Sequence, residues 1–110
     1  MAYLYYGTES LPVEMPDHML AHVKAVVATK LRRGESFMLT WKHTGDAGDS
    51  SIWLQPSIPL RFVFDDADHG PLESEYLQTL ARAANSSGGL VLEWDAAMPV
   101  HRRPREVVAG

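Results

Sequence analysis

Cysteine is absent from the 110 residues, which excludes a disulfide framework, a thiolate metal site and a thiol nucleophile. Basic charge is scarce: 10 Lys and Arg stand against 14 Asp and Glu, for a net charge of −4. The balance is uneven, because residues 98–110 hold Arg102, Arg103 and Arg105 against Glu106, leaving residues 1–97 at −6. An acidic body argues against non-specific nucleic-acid binding, which needs a basic surface to neutralise phosphates. Long apolar runs are missing too. The longest aliphatic run, Ala25–Ala28, falls far short of the ~20 residues that cross a bilayer. The opening MAYLYYG lacks the basic and apolar regions of a secretory signal, so a cytoplasmic protein with no membrane association is expected. Catalytic motifs are missing as well. Gly34-Glu35-Ser36-Phe37 has Met38 where a nucleophile elbow needs its second glycine. Gly88-Gly89 lacks the lysine of a phosphate loop, and no spacing ties the serines and histidines into a triad.

What is present is concentrated between Leu31 and Asp65, where the pattern has period two, as in strands with one buried face. In Ser36–His43, Phe37, Leu39 and Trp41 oppose Met38, Thr40 and Lys42. In Ser51–Gln55, Ile52 and Leu54 oppose Trp53 and Gln55; in Ile58–Asp65, Leu60, Phe62 and Phe64 oppose Arg61 and Val63. Thr44–Ser50 suits a hairpin loop, and Pro56 and Pro59 flank a sharp corner. Three antiparallel strands with one large apolar face are expected.

The flanks supply the cover. Ala2–Tyr6 reads as a strand, and Leu11–Met15 as its return, weakened by Pro12. A helix over 17–33 follows, capped by Asp17, carrying Leu20, Val23, Val27 and Leu31 on one stripe and stopped by Gly34. A second helix over 72–86, started by Pro71, carries Leu72, Tyr76, Leu77, Leu80, Ala83 and Ala84. Leu90–Trp94 is a last strand, with Leu90, Leu92 and Trp94 inward. The order ββαβββαβ predicts a two-layer α+β domain over 1–95, a mostly antiparallel sheet with both helices packed on one face. Residues 96–110, with two prolines and three arginines and no periodicity, read as a flexible C-terminal tail.

The outer sheet face is then half apolar: Met38, Trp53, Val63 and Val91 among Lys42, Gln55, Arg61 and Glu93. Such a face suits dimerisation or a protein partner, with Trp53 as its anchor. The competing expectation puts Trp53 in the core, where large aromatics usually go.

LRRGESF, SSIWLQPSIPLRF and ANSSGGL, in this order, are similar to the signature segments of a family of small actinobacterial proteins of about this length, a domain of unknown function. The resemblance covers nearly all of residues 1–94. Its members often carry the label "ATP-dependent DNA ligase" by automatic transfer, and histidine is common there where this chain has Gln55. The resemblance brings no catalytic residues with it. A ligase of that kind uses a lysine nucleophile in a K-x-D-G context, with carboxylates for a metal ion. Lys24, Lys30 and Lys42 are followed by Ala-Val, Leu-Arg and His-Thr, so none fits.

Two weaker constellations point to metals. His18 and His22 share a helix face at i, i+4, which is ligand spacing, but a solvated face with no metal and no cofactor is the expected outcome. Asp65, Asp66 and Asp68 precede Gly70, yet Leu77 stands where an EF-hand places its closing glutamate, so a polar loop is expected. Three functional classes remain. The first is a non-catalytic interaction module, acting through Met38, Lys42, Trp53, Gln55, Arg61 and Val63. The second is a nucleic-acid-associated accessory, resting on Arg32, Arg33, Lys30 and Arg102, Arg103 and Arg105. The third is a small enzyme with a site that sequence does not reveal. The missing nucleophile, base and metal motif favours the first.

Overall fold

The computed structural model describes residues 1–42, 48–66, 68 and 70–94. The elements run β1 (Ala2–Tyr6), β2 (Val13–Met15), α1 (Asp17–Arg32), β3 (Phe37–Lys42), β4 (Asp49–Leu54), β5 (Leu60–Phe64), α2 (Ser74–Ala84) and β6 (Leu90–Leu92). This is the ββαβββαβ order and the α+β class expected from periodicity. The expected tail, with Arg102, Arg103 and Arg105, lies outside the described residues, as does most of the hairpin loop between β3 and β4.

The six strands divide between two three-stranded sheets, β2-β1-β5 and β4-β3-β6. All pairings are antiparallel except β3 with β6, which runs Leu39 beside Leu90 in parallel. β5 therefore does not extend the β3–β4 hairpin as the run of three alternating segments suggested. The corner at Gln55–Pro59, with Ile58 N–H closing onto the Gln55 carbonyl, turns the chain away from β4 and lays β5 against β1. One contact ties the two sheets at this corner and another continues the β1–β5 pairing beyond the strand ends. The Tyr6 hydroxyl donates to the Trp53 carbonyl at 2.6 Å, and the Gly7 amide donates to the Pro59 carbonyl at 2.8 Å.

α1 lies against β1 and β5, α2 against β3 and β6, and the helices pack on each other. The shared core contains Leu4, Met15, Met19, Leu20, Leu39, Leu54, Leu80, Leu90 and Leu92, each essentially without solvent contact. A leucine or methionine buried so fully contributes roughly 1.5–3 kcal/mol from transfer alone.

Both helix starts differ from expectation. Pro16, not Asp17, is the cap of α1: its extended backbone (φ −60, ψ 144) leads in, and its carbonyl accepts the Leu20 amide. Asp17 sits in the first turn, where its carboxylate takes the Met1 ammonium at 2.9 Å. α2 begins at Ser74 rather than near Pro71, with Glu73 as an extended cap, so Leu72 precedes the helix and is half exposed. The C-terminus of α1 is as expected. Gly34 (φ +75) donates to the Leu31 carbonyl and Glu35 to that of Lys30, the double closure of a Schellman end.

Candidate functional site

The face of β3 and β4 turned from the core is built by cross-strand pairs: Met38 with Trp53, Thr40 with Ser51, and Lys42 with Asp49. Alternation puts Phe37, Leu39 and Leu54 inward and leaves these outward. Trp53 is 49% exposed and Met38 36%, so the tryptophan lies on the open face and not in the core. Beside them, Thr40 and Ser51 share a 2.6 Å hydroxyl bond, and Lys42 meets Asp49 at 3.6 Å. Val91 adjoins Thr40 from β6. Gln55, at the rim, accepts from the Ser57 hydroxyl.

The other expected members do not join this face. Val63 and Arg61 belong to β5 in the second sheet, opposite Tyr3 and Tyr5, and the Arg61 guanidinium lies 4.5 Å from the Tyr5 ring centre. Arg61, with Tyr5, Gly7, Pro59 and Leu60, lines a shallow cleft of about 400 Å³. The half-apolar surface is thus split between two sheets. Arg32 and Arg33 are exposed at the end of α1, whereas Lys30, assigned with them to a basic patch, is buried. Its ammonium donates to Asn85 Oδ1, pairs with Glu35 at 3.2 Å and lies over the Phe37 ring. Lys24 reaches over the Phe64 ring and Lys42 is paired with Asp49, so each lysine has a structural partner.

A second constellation is the one that sequence reading placed in solvent. His22 is fully buried, not solvated. The reason is α2, whose start covers the His18–His22 face of α1. The His18 ring stacks on Tyr76 with centres 5.8 Å apart, and His22 lies 4.6 Å from the same ring. His22 Nδ1 donates to the His18 carbonyl at 2.8 Å, and Nε2 accepts the Glu73 amide at 2.8 Å. Burial lowers the His22 pKa below its ordinary value and outweighs the bond to the His18 carbonyl, which favours the protonated form. The Tyr76 hydroxyl, buried with no hydrogen-bond partner among the described residues, is pushed up to about 12 by burial.

His18, His22 and Glu73 bring ligand atoms within 4.8 Å of one another. In this arrangement the His22 Nε2 lone pair, which a cation would need, accepts a backbone amide instead. The acidic loop is similarly self-engaged. Asp66 and Asp68 accept loop amides at 3.0 and 3.2 Å, and Asp65 accepts from the Tyr3 hydroxyl.

A family model described as a domain of unknown function, DUF7882, matches residues 1–95 and so takes in every element described above. The chain belongs to that family. No curated protein and no solved structure matches it. Among the described residues, no helix is long and apolar enough to cross a membrane.

The histidine pair was visible in the sequence, but its meaning was not. The signal that could have corrected it is the neighbourhood: Met19, Leu20, Ala21 and Val23 surround His22 with apolar residues, which fits a helix covered on more than one side.

Proposed function

We propose that this domain is a non-catalytic interaction module that pairs with a second copy of itself through the open β3–β4 face. The observation that carries this reading is the exposed Met38–Trp53 pair, two large apolar side chains side by side on paired strands. Lys42 and Asp49 stand on the same face and offer both signs of charge, so a copy related by two-fold rotation can meet opposite charge with opposite charge. Trp53 is the anchor, with Met38, Lys42 and Gln55 around it; Arg61 and Val63, on the other sheet, drop out of the proposed surface.

Sedimentation equilibrium tests it. Wild type self-associates with rising concentration, and Trp53→Ala weakens the dimer about 30-fold, the equivalent of roughly 2 kcal/mol for a hot-spot aromatic. A wild type that stays monomeric at high concentration overturns it. In this reading the module is residues 1–95, and deletion of 96–110 leaves both the melting temperature and the association unchanged.

A further inference from the structure

We propose that His22 is an acid-operated latch: its neutral Nδ1–H tautomer fastens the start of α2 to α1, and protonation of the ring releases the segment leading into that helix. The tautomer is fixed by its partners. The His18 carbonyl can only accept, so Nδ1 must carry the hydrogen; the Glu73 amide can only donate, so Nε2 must be bare. A second ring proton has one place to go, Nε2, where it would face the Glu73 N–H head-on. The ring would then hold a buried charge and the amide would lose its acceptor.

The groups facing His22 come from three places. On α1, the bond to the His18 carbonyl favours its protonation and the His18 ring, to a lesser degree, opposes it; Glu73, ahead of α2, favours it; Tyr76, on α2, stays neutral because its hydroxyl is pushed up to about 12. His18 can itself pair with Glu73, 3.7 Å away, but both side chains are well exposed and such a pair holds weakly in water. Burial outweighs these charges, so the closed form binds a proton less readily than a freely solvated histidine, whose ordinary value is about 6.5. The linkage follows. The closed latch is fully populated above about pH 6.5, and falling pH transfers population to the open form, which takes up the proton.

Opening is local. α2 starts without a side-chain cap, so the His22 contact is what binds the Glu73 amide. The far end of α2 is held independently by Leu80, Ala83 and Ala84 in the core and by Lys30 on Asn85.

Amide exchange followed by NMR between pH 7.5 and 5 tests the proposal on the whole chain. Corrected for intrinsic exchange, protection of the Glu73 amide falls by up to about tenfold per pH unit below about 6.5, while β3 amides hold. His22→Gln flattens that dependence; His18→Gln leaves it in place. A flat Glu73 profile in wild type, a response that survives in His22→Gln, or one that disappears in His18→Gln overturns the latch. Should His22→Gln not fold, the wild-type ring nitrogen shifts decide: His22 must show a bare Nε2 at neutral pH and titrate together with the loss of Glu73 protection. An Nε2–H tautomer, or a titration that leaves the Glu73 amide protected, overturns it equally.

Discussion

The two helices cover different sheets and are held in different ways. α1 buries Met19, Leu20, Ala21, His22, Val23, Val26, Val27 and Lys30, because it has a sheet on one side and α2 on another. α2 buries only Leu80, Ala83 and Ala84 and keeps a polar outer face. The buried polar residues of α1 make sense in that light. His22 takes the amide at the start of α2, and Lys30 reaches Asn85, the residue that closes its end. One helix is fixed by its apolar surface, the other by one short apolar stripe plus a polar contact at each end. Stability and adjustability are therefore separated along the chain.

Truncations in the two helices should separate them most. Leu20→Ala empties a fully buried position between two layers, and we expect a loss of about 4 kcal/mol. Leu77, partly buried against the core from α2, should lose about 1 kcal/mol as Leu77→Ala, since part of its surface already meets water. Urea denaturation of both variants checks the ratio. Equal losses would mean that the two helices are equally embedded.

The route out of α2 is constrained by a close approach to β3. Gly89 has φ +75, and a Cβ there would stand 2.5 Å from the Met38 carbonyl oxygen, against the backbone of β3. Neither neighbour can yield, because β3 is paired on both edges. Gly89→Ala should cost about 3 kcal/mol through overpacking and the left-handed backbone. The control is Gly34→Ala, with the same φ and open space around the new methyl, which should cost about 1 kcal/mol from the backbone alone. Thermal melts of the pair isolate the close approach.

These contrasts also explain what the sequence could and could not disclose. Alternation in β3, β4 and β5 and the leucine stripe of α2 are local patterns, and they place the strands and the buried side of each element correctly. Which strand pairs with which depends on a corner. The prolines at 56 and 59 announce one, but they do not say that β5 leaves it to pair with β1, where the Gly7 amide meets the Pro59 carbonyl. The face around Trp53 was legible as far as Met38 and Lys42; Arg61 and Val63 were misplaced with the strand that carries them. His22 and Lys30 were unreadable because a polar residue in a helix looks solvated until the helix that covers it is in place.

Acid should act on the α1–α2 contact with a smaller effect and a defined sign. The folded protein holds His22 below its ordinary pKa, chiefly through burial, so the unfolded chain binds the proton first as pH falls. The contribution is complete above about pH 6.5 and is lost on acidification, at no more than about 1.4 kcal/mol per pH unit while only the unfolded ring is charged. Denaturation midpoints at pH 7.5 and 5.5 should differ for wild type and differ less for His22→Gln. An equal drop in both would assign the acid sensitivity to other groups.

The smallest effect on stability belongs to the face that neither helix touches. Trp53 lies across from Met38 at the open side of β4, an edge strand, and half of its surface meets solvent. Truncating it removes cross-strand contact with Met38, worth roughly 0.2–1 kcal/mol, and leaves no cavity, because the side chain lies outside the core. Its carbonyl, which anchors the Tyr6 hydroxyl, is backbone and survives the substitution. Trp53→Ala should thus melt within a few degrees of wild type while losing most of its self-association. That pairing of outcomes separates an interface residue from a structural one. Leu20→Ala, at equal concentration, should show the reverse, a large drop in stability with the exposed pair intact in whatever fraction remains folded. If Trp53→Ala instead unfolds the domain, the open face is part of what holds the two sheets together, and the division between a stabilising core and a free surface fails there.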